Sequence, residues 1–256
     1  MKPLKKRNFR DLSYLTNEDG YSLRPGLFFR SGALYKLSKR EKRSIDDLHL
    51  STVLDLRTPE EQHKKPDDVV GEIAYESNPL LTASAIGITH EKGLKGYKAP
   101  PNMPALYRRI VSEKESVEAL AKALHALLDT KSGPRLWHCT AGKDRAGLLT
   151  AMFLLALGYK EEDIIADYER SDKPSRKKGR LYRNLILFLL WKRKLASGVY
   201  AAMRAKADYL LSAFAAMKEQ AGSLASYLRD YLHVTAEDIA SFKAAYMVPQ
   251  TEVRKA

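Results

Sequence analysis

Between Pro134 and Leu157 the sequence runs from a short apolar segment, Pro134-Arg135-Leu136-Trp137-His138, through Cys139-Thr140-Ala141-Gly142-Lys143-Asp144-Arg145-Ala146-Gly147, into a second apolar run, Leu148 to Leu157. The first segment has the length of a buried strand and the second reads as a packed helix. Gly142 and Gly147 let the connection between them bend sharply. A strand that ends in a tight loop and feeds a helix commits the chain to an α/β layer arrangement. It also sets the single cysteine of the chain, Cys139, at the carboxyl end of a strand, where ligands of such folds collect.

A loop of this kind turns successive backbone N–H groups toward one anion, above the positive end of the following helix dipole. Such surroundings favour the thiolate form of a cysteine, which is the nucleophile. Arg145 follows Cys139 by six residues, and a looped backbone can bring its planar guanidinium to the same anion, where it can hold two oxygens at once. A thiolate, a ring of N–H donors and an arginine meet the needs of phosphoryl transfer, which are in-line placement and stabilisation of charge. The product is a phosphocysteine that water then hydrolyses. The competing reading makes Cys139 a buried small apolar residue, the common fate of a free cysteine.

The string HCTAGKDRAG resembles the Cys-x5-Arg signature of cysteine-dependent phosphatases, in the branch written HCxxGKDRT. The chain is similar over most of its length to the bacterial tyrosine-protein phosphatase family that carries this signature, a family with dual-specificity and phosphoinositide-phosphatase character. The resemblance rests on Asn8-Phe9-Arg10-Asp11-Leu12, Arg24-Pro25-Gly26-Leu27-Phe28-Phe29-Arg30-Ser31-Gly32-Ala33-Leu34, Val53-Leu54-Asp55-Leu56-Arg57 with Glu60, Asp167-Tyr168-Glu169-Arg170-Ser171, and Gly222-Ser223 with Tyr227-Leu228. Only about 173 to 206 lacks a counterpart. The resemblance implies a cysteine-phosphatase fold, with a mostly parallel central sheet flanked by helices and a helix-rich second half. It further implies hydrolysis of phosphomonoesters without metal or cofactor, on phosphotyrosine and also phosphoserine or phosphothreonine. A phosphoinositide is the alternative substrate, and a non-catalytic phosphate-binding module is a third reading.

Cys139 and Arg145 are the expected nucleophile and phosphate clamp, and Thr140, Ala141, Gly142 and Gly147 the phosphate-binding backbone. His138 is expected to orient the loop through ring hydrogen bonds. Lys143 is expected at the mouth of the site, where the resemblance associates a lysine with phosphoinositide recognition. The resemblance makes Asp144 the first choice for general acid, although a neighbouring cation such as Arg145 favours the ionised carboxylate. Asp55 is the second choice, delivered by a buried strand, with an ion pair to Arg57 or Arg30 as its other reading; Asp172 is a distant third. Ala146 stands where these phosphatases often carry Thr or Ser, whose hydroxyl assists release of the sulfur. Slower breakdown of the phosphoenzyme is therefore expected.

A chain of 256 residues can bury a full core. The resemblance favours a single domain over 1–256, with a basic helical segment at about 173–206. A single cysteine excludes an internal disulfide, offers no zinc-binding pair and fits a reducing compartment such as the bacterial cytoplasm. Met1 to Arg7 is basic without an apolar stretch after it, so no secretory signal is visible, although signal-less export is compatible with this. From Lys173 to Lys206 there are eleven basic residues and no acidic one, against a net charge of +13 for the whole chain. Arg183 to Leu195 carries apolar residues around the whole helix. It reads either as a buried helix with solvated ends or as a lid or docking segment for the site or an anionic membrane surface. Nucleic acid is disfavoured because no recognition motif accompanies the charge.

Strands are expected at 27–31, 51–56 and 73–77, and a helix at Ser116 to Leu128. Everything after Ala146 is expected to be mainly helical. Thr82 to Pro104, rich in Gly, Pro, Ala and Lys, reads as a long loop at the mouth of the site.

Overall fold

The computed structural model describes residues 3–68, 73–80, 102–191 and 193–253. After a single 3-10 turn at Pro3–Arg7, the first half runs β1 (Arg10–Asp11), β2 (Tyr21–Leu23), β3 (Phe28–Gly32), α1 (Lys39–Asp46), β4 (Thr52–Asp55), α2 (Pro59–Lys64), β5 (Ala74–Ser77), α3 (Met103–Ile110), α4 (Lys114–Leu128) and β6 (Arg135–Cys139). The second half runs α5 (Asp144–Ala156), α6 (Glu161–Arg170), α7 (Asp172–Leu190), α8 (Arg193–Met203), α9 (Ala207–Ala221), α10 (Leu224–Asp230), α11 (Ala236–Tyr246), β7 (Met247–Pro249) and α12 (Gln250–Val253). The α/β reading and the helical second half both hold.

Five strands form the central sheet in the order β1-β3-β6-β4-β5. β3, β6, β4 and β5 are parallel, and only β1 runs against its neighbour. Register places Gly32 beside Cys139 and Asp55 beside His138, so the carboxyl ends of three strands converge on the thiol. Side chains alternate across the sheet as the two-residue strand period requires. Phe28, Leu54 and Trp137 enter the large core shared with α3, α4, α5 and α9, whereas Phe29, Val53 and Leu136 pack with Leu4, Leu37 and Ile45 on the other face. The large cluster extends from Leu12 to Met247. A third, separate cluster of Ile186, Leu195, Ala196, Val199 and Met203 lies between α7 and α8.

Three expectations need correction. The helix expected at Leu148 begins earlier, at Asp144, because an acidic residue in the first turn complements the dipole and lets the helix start inside the loop. Of the loop read over Thr82 to Pro104, residues 82–101 lie outside the described residues; Met103 and Pro104 already open α3, capped by Asn102. The apolar segment at Arg183 to Leu195 is no buried helix. It is interrupted at Trp191, whose left-handed backbone ends α7, and Leu187, Phe188, Leu189 and Trp191 face solvent.

Candidate active site

Cys139 is the last residue of β6 and is nearly fully buried. The loop that follows is held by its carbonyl groups. Gly142 O accepts from Asn8 Nδ2 at 2.6 Å and from Arg30 Nη2 at 2.9 Å, and Thr140 O accepts from the Ala33 backbone N–H at 3.3 Å. A trans peptide points its N–H opposite to its C=O. Tying these carbonyls to the protein body therefore turns the N–H groups of Ala141 and Lys143 away from it, toward the concave side. Gly142 makes this possible in two ways. Its φ is +64°, and a Cβ there would come within 2.4 Å of the Ser31 backbone. Gly147 lets α5 pass close to α6 and to the Arg30 side chain, since a Cβ would meet Tyr168 at 2.9 Å and Arg30 Nη2 at 3.1 Å. Ala146 is buried, and its carbonyl accepts from Thr150 Oγ1 at 2.6 Å.

Arg145 projects from the first turn of α5 and is almost completely buried. Its guanidinium forms a two-pronged pair with Glu61, Nη1 to Oε2 at 2.6 Å and Nη2 to Oε1 at 2.9 Å, while Nη1 also reaches Leu56 O at 3.3 Å. The same carboxylate accepts from Thr140 Oγ1 at 2.5 Å, and its Oε2 accepts from the Thr58 N–H at 2.9 Å. Glu61 thus closes the capping box of α2 and fixes the plane of Arg145 in one stroke. The sequence reading singled out Glu60, which is exposed; its neighbour makes these contacts. The spacing Thr58-x-x-Glu61 was the available signal, since it marks a helix start just beyond a strand end.

Behind the loop lies a charge network that sequence reasoning did not assemble. Arg30 is fully buried and pairs with Asp167 at 2.9 Å, and Arg10 meets the same carboxylate at 2.7 Å. Burial, reinforced by the nearby charge of Arg10, lowers the Arg30 pKa to about 10, which leaves it protonated at neutral pH. Burial alone would raise the Asp167 pKa. The charges of Arg30 and Arg10 and the hydrogen bonds of Arg10 and Tyr14 outweigh it and hold the carboxyl below its usual value.

Three placements depart from expectation. Lys143 is buried away from the mouth of the site: its Nζ donates to Ala202 O at 2.6 Å in the last turn of α8 and to Arg204 O at 2.8 Å just beyond it, and lies 3.2 Å from Asp144 Oδ1. A cation satisfied by orphan carbonyls at a helix C-terminus is well stabilised there. Asp55 is fully buried and paired with Arg57 at 2.7 Å, the alternative that the sequence had offered for it. Burial would raise its pKa, but Arg57, His138 and Tyr75 together keep it ionised and lowered. His138 is also fully buried. Nε2 lies 3.0 Å from Asp67 Oδ2 and Nδ1 lies 3.8 Å from Asp55 Oδ1, yet neither nitrogen completes a hydrogen bond, so the short approach is out of line for donation. The expected ring hydrogen bonds are absent among the described residues, and the carboxylates of Asp67 and Asp55 stand beside the ring instead.

Asp55, Asp67 and His138 each bring one potential ligand atom within 4.8 Å of the others. Arg57 Nη2 sits 2.7 Å from Asp55 and 2.6 Å from Asp67, so a guanidinium already bridges the two carboxylates and offsets one of their two charges. Asp144 differs from Asp55 in keeping slight exposure. Its Oδ1 accepts from Tyr107 Oη at 2.8 Å, and Tyr107 in turn lies 2.7 Å from Tyr168 Oη. Burial and the Asp144 charge push the Tyr107 pKa well above its usual value, which keeps that phenol a donor. Asp172 opens α7 and ties it to the segment after α8, accepting from Arg204 Nε at 2.5 Å and from the Ala205 N–H at 3.2 Å.

Two relatives cover nearly all of the chain. The triple specificity protein phosphatase PtpB of Mycobacterium tuberculosis (strain ATCC 25618 / H37Rv) is 29% identical over 256 residues, covering 87% of this chain and 90% of its own. A protein named as a tyrosine-protein phosphatase in Cupriavidus necator is 27% identical over 243 residues, covering 94% of this chain and 85% of its own. The family model described as Tyrosine phosphatase family matches residues 4–248, which takes in every element from β1 through β6 and the whole of the loop after Cys139. The chain belongs to the tyrosine phosphatase family.

Proposed function

We propose that the protein hydrolyses phosphomonoesters through a phosphocysteine on Cys139, with phosphotyrosine in proteins as the principal substrate and phosphoserine or phosphothreonine as further ones. The observation that carries this reading is the loop itself. Its carbonyls are tied back to Asn8, Arg30 and Ala33, and its arginine is held in plane by Glu61 of α2.

The Cys139 sulfur attacks phosphorus as the ester P–O bond breaks. The N–H groups of the loop and the Arg145 guanidinium stabilise the equatorial oxygens. The departing oxygen takes a proton from Asp144, which directly precedes Arg145 and keeps slight exposure. Asp55 does not suit that role, since Arg57 holds it ionised and solvent does not reach it. In the second step water attacks the phosphocysteine, gives a proton to the Asp144 carboxylate and releases inorganic phosphate, and the sulfur leaves as thiolate. Ala146 offers no hydroxyl to that leaving sulfur, which makes the second step the slower one.

Phosphoinositides are the second reading. The sequence argument for it from Lys143 falls away with that side chain buried at the end of α8, and what favours it is the run of exposed basic residues on α7 and α8. Turnover of para-nitrophenyl phosphate in the presence of a chelator tests the chemistry. Activity is expected to persist in chelator and to vanish in Cys139→Ser; loss in chelator, or survival in the variant, overturns it. Competition between a phosphotyrosyl peptide and phosphoinositide vesicles then ranks the substrates.

A further inference from the structure

The α7–α8 hairpin stands apart from the main core. It has its own small apolar cluster, the pair of Arg204 with Asp172 closes its base, and Lys143 on the Ala202 and Arg204 carbonyls joins that base to the body. At about 100° per residue, Gly179, Tyr182 and Ile186 fall on one side of α7. That side faces α8: Ile186 is buried, Tyr182 packs against the same cluster, and a Cβ on Gly179 would touch Tyr200 at 3.2 Å and Met203 at 3.3 Å. Leu181, Leu185, Phe188 and Leu189 fall within an arc of about 100° beside it. These four are exposed, Phe188 by 79% and Leu189 by 60%, and the stripe runs on into Trp191, exposed by 87%. Lys173, Arg176 and Arg180 flank that stripe along α7, and exposed Arg193 and Lys194 open α8 beyond the tip.

So many large apolar side chains on one helix tip are costly in water, and nothing in the body of the molecule covers them among the described residues. Their surroundings narrow the choice of partner. Not one acidic residue occurs between Lys173 and Lys206, so the partner carries negative charge next to an apolar phase. We infer that the tip of the α7–α8 hairpin is a membrane-docking element, with Leu185, Phe188, Leu189 and Trp191 entering the acyl boundary of an anionic bilayer while the flanking Arg and Lys side chains bind its headgroups. α7 has 19 residues and therefore spans about 28 Å, so docking at its tip tethers the catalytic loop, which Lys143 ties to the base of the hairpin, within about that distance of the surface. The binding is independent of which phosphoester the site hydrolyses.

Trp191 reports on this directly, because the second tryptophan, Trp137, is fully buried in the core. Addition of vesicles of mixed phosphatidylserine and phosphatidylcholine is expected to shift the tryptophan emission to the blue. Phosphatidylcholine alone should give little shift, and raised salt should reverse it. Trp191→Phe should abolish the shift while co-sedimentation persists. The triple variant Leu185→Ser/Phe188→Ser/Leu189→Ser should lower vesicle partitioning at least about tenfold and leave para-nitrophenyl phosphate turnover intact. Absence of a shift with anionic vesicles overturns the inference. So does a shift that grows with protein concentration without lipid, which would make the tip a contact between two copies of the chain.

Discussion

At the scale of single residues, the two candidate carboxylates separate by environment. Asp55 sits in a dry cluster with Arg57, Tyr75 and His138, whereas Asp144 opens α5 beside Arg145 and keeps slight access to solvent. Asp144→Asn should therefore lower kcat about 10²-fold or more for substrates with a poor leaving group. It should do so much less for para-nitrophenyl phosphate, whose leaving oxygen needs little protonation. Asp55→Asn should instead cost about 1–3 kcal/mol of stability by leaving Arg57 with Asp67 as its one remaining carboxylate, with the pH profile of the remaining activity unchanged. Thermal unfolding and pH–rate profiles of the two variants check both statements. Equal pH-profile changes in the two would contradict the assignment. That Cys139 and Arg145 stand out from the sequence reflects strong local constraints, a strand end, two glycines and a helix start. Glu61, Asn8 and Arg30 could not be assigned contacts, since each meets the loop from far away in sequence and only the folded sheet brings them together.

Among the elements, the connection of most consequence is Lys143, which belongs to the loop but satisfies the end of α8. The sequence placed this lysine at the rim because the resemblance and its charge both suggested exposure. What reversed that was the hairpin, which offers unsatisfied helix-end carbonyls to the cation. Lys143→Met keeps the volume and removes the donor, so the base of α8 should loosen while the sheet stays intact. Hydrogen exchange should rise through 193–206, and limited proteolysis should cut first within the hairpin. Unchanged exchange there would show that Arg204 and Asp172 hold the base without it. The strands were legible because their apolar residues alternate between the two core faces, and α4 because its apolar positions repeat at helical spacing. The apolar run ending at Trp191 misled because composition alone does not distinguish a buried helix from an exposed tip with a break after it.

For the molecule as a whole, the buried carboxylates Asp167 and Asp55 link stability to pH. Each has a folded pKa below the unfolded value of about 3.9, so its stabilisation is complete above that value and is lost as pH falls through the folded one. The thermal midpoint should therefore be nearly level from neutrality to about pH 5 and fall steeply below about pH 4. Asp167→Asn should lower it at neutral pH and flatten the acid limb; a limb of unchanged slope would exclude Asp167 from it. Stability in acid and the geometry of the loop share a cause, since the Arg30 that Asp167 holds is also the donor to Gly142 O. The central claim is covalent and can be read by mass spectrometry of enzyme quenched in acid during turnover of para-nitrophenyl phosphate. One phosphoryl group is predicted on the peptide containing Cys139, accumulating because Ala146 leaves breakdown unassisted, and absent from Cys139→Ser. A phosphoryl group on any other residue, or turnover that persists in that variant, would contradict the account.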